Sequence, residues 1–163
     1  VLQYHKIIPI VIDNTQSNLD KARTNGIYYA YSADDEVVSN VMEATNGNLC
    51  DAAIYSASSR LPASLASRIV GKQKSIVLSG FTSLHSAIDL RDVLEKDLHV
   101  FGVTNAANYT DSVINMLVHG AVNIDSFDKE IVNQFDPVKI LTDLSERISA
   151  SNKSNLTVLK LMF

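Results

Sequence analysis

The stretch Ile8-Pro9-Ile10-Val11-Ile12-Asp13 decides the fold expected for this chain. It is an almost continuous apolar run that ends in one acid, and such runs are typical of strands buried on both faces of a parallel sheet. A segment with helical spacing follows, because Leu19, Ala22 and Gly26 come six, nine and thirteen residues after Asp13. The sequence therefore predicts a strand, an acid at its carboxyl end and then a helix.

The same alternation continues along most of the chain. Strands are predicted over residues 8–12, 27–31, 52–55, 75–78 and 98–103, and helices over residues 17–24, 34–44, 62–69, 90–96 and 109–119. Apolar strands separated by helices indicate an α/β fold, a mostly parallel Rossmann-like sheet with helices on both faces.

Glycines mark the expected ends of four helices. Gly26, Gly47, Gly71 and Gly120 each follow a predicted helix, where a left-handed residue terminates a helix at low cost. At the start of the second helix, Asp34 or Asp35 is a suitable cap.

The end of the chain has a different pattern. A helix is predicted over residues 138–148, followed by a polar stretch and a last strand over residues 156–163. No helix returns this strand to the parallel sheet, so we expect it to pair elsewhere.

Composition restricts the classes of function. The 163 residues suit one domain, and the net charge of −4 with scattered basic residues argues against a nucleic-acid partner. No apolar run approaches the roughly 20 residues of a membrane span. Cys50 is the only cysteine, which excludes an internal disulfide and a multi-thiolate zinc cluster and favours a reducing cytoplasmic location. The four histidines lack metal-binding spacing, so no metal ligand is predicted.

Asp13 is the strongest candidate for a binding residue. An acid at the end of such a strand holds the adenosine ribose in dinucleotide-binding folds, but the glycine-rich turn expected roughly 20 residues earlier is absent. The simpler interpretation is a strand-end acid that caps the following turn. Both interpretations stay open at this stage.

The order of these segments resembles the C-terminal half of the zinc-type medium-chain dehydrogenase/reductase family, the alcohol and polyol dehydrogenases. Val1–Lys6 looks like the end of the helix after the phosphate loop, and residues 8–13 like the second strand. Residues 47–58, 71–81 and 97–102 are similar to the fourth, fifth and sixth strands with their preceding turns, and residues 157–163 to the last strand.

The resemblance implies a set of cofactor-binding residues. Asp13 would accept hydrogen bonds from the ribose and favour NAD over NADP, because a carboxylate repels a 2′-phosphate. The others follow later strands: Ala57 and Ser58 on the adenosine side, Ser79, Gly80 and Phe81 beside the nicotinamide, and Val103 and Thr104 at its carboxamide.

The resemblance also implies what this chain lacks. The family's catalytic zinc and substrate pocket belong to a domain outside residues 1–163, so no residue here is expected to be catalytic or to bind metal. The chain would be a partial dinucleotide-binding domain whose tail, residues 148–163, returns to that catalytic domain. We expect weak NAD binding or none, and no oxidoreductase activity from the chain alone, whereas the parent enzyme would transfer hydride between an alcohol or polyol and NAD.

The alternative is a non-catalytic α/β binding or assembly module with a self-contained five-stranded sheet. Strand order discriminates the two interpretations. The dehydrogenase interpretation places the strands at residues 8–12 and 52–55 on either side of an empty central position, whereas the alternative pairs neighbouring strands without a gap. Under the dehydrogenase interpretation, we expect the empty position to be filled by a second copy, by the strand at residues 156–163 or by an upstream peptide.

The segment over residues 86–90 is predicted to be an edge strand. In the resembling family, edge strands near this place pair across a two-fold axis. A homodimer formed through Ala87 to Leu90 is therefore expected.

Overall fold

The structure is a computed structural model, which describes residues 1–56, 61–79, 87–103, 107–122, 129–132, 142 and 156–159. The chain divides into two compact units, Val1–Val113 and Ile114–Phe163.

Strands and helices alternate through the first unit. The strands are β1 (Ile10–Asp13), β2 (Tyr29–Ser32), β3 (Cys50–Tyr55), β4 (Val70–Ser79) and β5 (His99–Val103). The helices are α1 (Gln16–Thr24), α2 (Val37–Ala44), α3 (Ser64–Ile69) and α4 (Leu90–Glu95), followed by a 3-10 turn (Ala107–Tyr109) and by α5 (Thr110–Val118), which crosses into the second unit.

The strands form two parallel sheets, which confirms the α/β prediction. β1 pairs with β2, and β4 lies between β3 and β5. Within the described residues, β1 has no partner besides β2, and β3 has none besides β4. The dehydrogenase interpretation expects such a break between two sheets, but β2 and β5 also pair on one side only, and the pairing does not identify the strands that would flank an empty position.

One apolar core joins the two sheets. Val41 of α2, Leu65 of α3 and Ile76 of β4 are buried in it, and Ile12 of β1 packs against them. α1 contacts both β1 and β2, and Leu19 of α1 is buried outside that cluster.

Among the described residues, one face of the three-stranded sheet is buried and the other is more exposed. Ala53 and its partner Ile76 are buried, whereas the neighbouring row of partners, Ile54, Val77 and Phe101, lies on the opposite face. Ile54 is 60% exposed and Phe101 is 53% exposed. We call this row, Ile54–Val77–Phe101, the open face.

The turns agree with the glycine pattern at three of four positions. Gly26, Gly47 and Gly120 have φ angles of +79°, +85° and +68°. The prediction for Gly71 is wrong, because it lies inside β4, where an added Cβ would stand 2.8 Å from the backbone oxygen of Asn48. Close approach of two backbones, and not a left-handed turn, explains that glycine.

The start of α2 differs slightly from expectation. Neither Asp34 nor Asp35 is its N-cap, because the helix begins three residues later than residue 34. The Asp34 carboxylate instead accepts a hydrogen bond from the Glu36 N–H at 3.0 Å. The acid therefore stabilises the turn that leads into the helix.

Two further segments differ from their predicted structure. Ala87 to Asp89 form no strand and Leu90 starts α4, so the predicted edge strand is wrong. The physical reason is a cap: the Asp89 carboxylate accepts the Arg91 N–H at 2.9 Å. Val1–Lys6 forms hydrogen-bonded turns and no regular helix.

The second unit contains a small parallel pair. β6 (Lys129–Val132) pairs in parallel with β7 (Leu156–Leu159). The last strand thus pairs away from the main sheets, as predicted. The helix predicted over residues 138–148 lies outside the described residues except for position 142.

Candidate functional site

Asp13 ends β1 and is held by two local hydrogen bonds. Its Oδ1 accepts the Thr15 N–H at 2.7 Å, and its Oδ2 accepts the Asn18 amide at 3.0 Å. The first bond closes an Asx-type turn before α1, and the second comes from the first turn of α1 itself. The capping role weighed in the sequence is therefore present in the structure.

The Asp13 carboxylate can accept further hydrogen bonds besides these two. Each oxygen of an ionised Asp offers about two acceptor directions, and the side chain is only half-buried. The turn and the helix fix the direction of the carboxylate before any ligand arrives. Such a group can still accept hydrogen bonds from a hydroxyl pair.

The contact between Asn18 and Asp13 was not predicted from the sequence. It comes five residues after Asp13 and donates to Oδ2 from helix α1. The available signal was its position in the first turn of a helix that follows a strand-end acid. An amide there is in reach of the acid because α1 turns back beside β1.

Ser79 and Val103 lie next to each other. They are register partners at the carboxyl ends of β4 and β5, and Val103 is 41% exposed. Their position agrees with the rule that parallel sheets bind ligands beyond the carboxyl ends of their strands. Asp13 belongs to the other sheet, so strand pairing does not join it to this pair.

The remaining predicted site residues, Ala57, Ser58, Gly80, Phe81 and Thr104, lie outside the described residues. One hydrogen bond joins the described residues on either side of positions 57–60. The Tyr55 hydroxyl donates to the Leu61 carbonyl at 2.6 Å. This bond brings the end of β3 and the start of the next segment together.

The part of the chain that the structure describes offers no metal centre. It contains no group of three or more His, Cys, Asp or Glu side chains able to hold a metal ion. His119 hydrogen-bonds through Nδ1 to the Asn115 carbonyl at 2.7 Å, which is a contact within its own helical segment. Among these residues, too, no helix has the length and apolar character needed to cross a membrane.

Solved structures share this fold. A short chain alcohol dehydrogenase from Escherichia coli CFT073, complexed with NADH, matches 100% of this chain and 47% of its own, with 23% identity and a TM-score of 0.70. An alcohol dehydrogenase zinc-binding domain protein from Burkholderia ambifaria matches 94% of this chain and 42% of its own, with 18% identity and a TM-score of 0.69. The alcohol dehydrogenase from Aeropyrum pernix matches 95% and 43%, with 16% identity and a TM-score of 0.66.

At these low sequence identities, the solved structures share the fold of this chain and nothing finer. No family model matches the chain, and no curated protein matches it. The chain spans less than half the length of the solved structures just described. Its described residues therefore have the α/β fold found in part of alcohol dehydrogenases, at low sequence identity.

Proposed function

We propose that this chain supplies part of the NAD-binding domain of an alcohol or polyol oxidoreductase of the medium-chain dehydrogenase type. The observation that carries the proposal is Asp13, a carboxylate at the end of a parallel strand, in a fold shared with an NADH-complexed alcohol dehydrogenase. The catalytic zinc and the substrate pocket would be supplied by polypeptide outside residues 1–163.

The residues of the chain fit one part of the cofactor. Asp13, oriented by Thr15 and Asn18, is suited to accept the 2′- and 3′-hydroxyls of the adenosine ribose. The negative charge would disfavour the 2′-phosphate of NADP. The pyrophosphate has no equivalent support, because the sequence contains no G-x-G-x-x-G turn.

The roles of the other site residues remain proposals. Ser79 and Val103, at neighbouring strand ends, would lie on the nicotinamide side with Gly80, Phe81 and Thr104. Ala57 and Ser58 would border the adenosine. When bound, NAD supplies the hydride-transfer chemistry, and the role of this chain is to hold and orient the cofactor.

Ligand titration tests the ribose contact directly. We expect adenosine to raise the melting temperature of the purified chain with an affinity of about 1 mM or weaker, since the phosphate contacts are missing. 2′-Deoxyadenosine should have a smaller effect, and NAD should have a larger effect than NADP. An Asp13→Asn variant should lose the distinction between the two nucleosides, whereas the control Asp51→Asn, at an exposed acid, should keep it. Equal responses to adenosine and 2′-deoxyadenosine would contradict the proposal.

The chain alone should not oxidise alcohols. We assign no role in proton transfer or metal binding to any of these residues. Incubation of the purified chain with NAD and a panel of alcohols and polyols should give no NADH absorbance above the blank. Turnover by the 163-residue chain would overturn this part of the proposal.

We also propose that two copies associate through a sheet edge. Ala87 to Asp89 lie outside any strand, so we place the contact at β5, which pairs on one side only within the described residues, as β1, β2 and β3 also do, and whose five residues are all exposed. Analytical ultracentrifugation tests this directly. A chain that stays monomeric up to high concentration would contradict it.

A further inference from the structure

The chain contains two Asn-Gly pairs, and each follows a threonine: Thr24-Asn25-Gly26 and Thr45-Asn46-Gly47. Both asparagines and both glycines are exposed. An asparagine before a glycine is a reactive unit, because the glycine nitrogen can attack the asparagine carboxamide and no Cβ on the glycine hinders the approach. The two pairs have the same local chemistry, so the structure around them decides which one reacts.

The Asn25 carboxamide is fixed in place. Its Nδ2 donates to the Lys21 carbonyl at 2.8 Å, one turn back along α1. The neighbouring Gly26 is also held, since its N–H donates to the Arg23 carbonyl at 2.9 Å and its own carbonyl accepts the Gln3 amide at 2.9 Å. These contacts must break before the carboxamide carbon can reach the Gly26 nitrogen.

The Asn46 carboxamide has a different environment. Among the described residues it has no hydrogen-bond partner, and its backbone is left-handed, with a φ of +52°. Asn25 has an ordinary φ of −85°. Asparagine tolerates the left-handed conformation, although that conformation is less stable than the ordinary ones. Rotation of the Asn46 side chain therefore breaks no hydrogen bond in this part of the chain, and the strain favours opening of its turn.

A backbone hydrogen bond protects both pairs. The Gly47 N–H donates to the Met42 carbonyl at 2.7 Å, as the Gly26 N–H donates to Arg23. Each glycine nitrogen must leave this bond before it can attack. Because the requirement is common to the two pairs, the side-chain hydrogen bonds around Asn25 are the main difference between them.

We propose that Asn46 is a site of spontaneous deamidation in the folded chain. The Gly47 nitrogen forms a bond to Cγ of Asn46 and loses its proton to solvent. The bond from Cγ to the amide nitrogen breaks, and that nitrogen takes up a proton and leaves as ammonia. Water then opens the cyclic succinimide at either carbonyl and gives aspartate or isoaspartate. The net reaction consumes water, releases ammonia and requires no oxidant or reductant.

The product has its new charge at an unfavourable position. Asn46 follows the C-terminus of α2, where the helix dipole places partial negative charge and the last turn contains no basic residue. Isoaspartate also lengthens the main chain just before Asn48, whose carbonyl oxygen lies close to Gly71 of β4. Deamidation therefore lowers the stability of the first unit.

Peptide mapping by mass spectrometry tests the inference. The purified chain is incubated in mildly alkaline buffer, the deamidated fraction is measured at each pair, and isoaspartate is identified with an isoaspartate-specific methyltransferase. Asn46 should convert about fivefold faster than Asn25, because its carboxamide has one hydrogen bond fewer to break. In urea both Thr-Asn-Gly segments lose their structure, so the two rates should become similar.

Three results of this measurement would overturn the inference. They are no conversion of Asn46 in the folded chain, conversion of Asn25 at the same rate or faster, and a ratio of rates that is the same with and without urea. The last result would mean that the neighbouring sequence, and not the structure, sets the difference.

A matched variant tests the effect on stability. Asn46→Gly accepts the positive φ and has no carboxamide to react. Once Asn46 is converted, the melting temperature of the natural chain should be lower by about 3 °C, whereas Asn46→Gly should keep its initial value after the same incubation. An equal fall in both proteins would contradict the assignment to Asn46. None of these measurements involves a nucleotide, so their outcome is independent of the proposed function.

Discussion

The Lys96 ammonium lies 2.7 Å from the backbone oxygen of Ser67 and joins two helices of the first unit. The same group donates to the carbonyls of Arg68 and Val70, at 3.1 and 3.2 Å. The fully buried Ser67 hydroxyl is 2.8 Å from the Asp92 carboxylate of α4. The last carbonyls of a helix lack intrahelical partners, so a cation at this end stabilises α3.

Replacing that ammonium should destabilise the protein. Lys96→Met keeps the aliphatic stem but leaves the carbonyls at the end of α3 without their donor, and we expect a loss of about 2 kcal/mol in the free energy of unfolding. Urea denaturation measures this loss. Lys72→Met, at an exposed position in β4, is the control and should change stability by less than about 0.5 kcal/mol. Similar losses in both variants would argue against the role of Lys96.

Gly71 should not tolerate a methyl group. Its added Cβ would lie 2.8 Å from the Asn48 carbonyl oxygen, and a backbone atom cannot rotate away as a side chain can. We expect Gly71→Ala to cost about 1–3 kcal/mol in thermal or chemical unfolding. Gly102→Ala is the matched control, because it is also in a strand and its Cβ would have no neighbour within 4 Å. The prediction is wrong if the two variants have equal stability.

The capping role of Asp13 can be separated from any role in binding. In the absence of nucleotide, Asp13→Ala removes the acceptor of the Thr15 N–H and should cost about 1 kcal/mol. Asp13→Asn retains a side-chain oxygen for that bond and should cost less. Unfolding curves of the two variants give the comparison. If alanine and asparagine are equally tolerated, the turn does not depend on this bond.

Cys50 should make stability depend on alkaline pH. Burial, and then the neighbouring Asp51, raise the pKa of its thiol in the folded chain. The folded state therefore favours the protonated thiol, and this contribution is fully present below the ordinary thiol pKa of about 8.5 and is lost as pH rises through the folded value. Above a pH of about 8.5, the free energy of unfolding should fall more steeply with rising pH in the natural chain than in the Cys50→Ala variant. If the free energies of unfolding of the two proteins depend on pH in the same way, the raised pKa of the Cys50 thiol does not affect stability and the prediction is wrong.

The alternation of strands and helices was predictable because it depends on local apolar patterns. The run ending at Asp13 forms a strand, and the spacing of Leu19 behind it forms a helix with its apolar residue buried. The helix starts differ from the predicted ones where a side-chain carboxylate accepts a backbone hydrogen bond. The Asp34 bond to the Glu36 N–H delays α2, and the Asp89 cap turns an expected strand into the start of α4.

The candidate site was predictable only in part. The place of Asp13 at a strand end follows from the sequence, and the adjacency of Ser79 and Val103 follows from parallel pairing. The Asn18 amide on Asp13 and the Lys96 ammonium on α3 depend on how helices turn back in space, and no linear pattern specifies them.

β5 has a practical consequence for anyone who handles this protein. Each of its five residues is exposed, and His99 is the only one able to carry charge. An outer strand with so few charges has little electrostatic protection against joining a neighbour's sheet. Concentrated samples should therefore become turbid at neutral pH. A lysine in place of Phe101 should keep the solution clear at neutral pH.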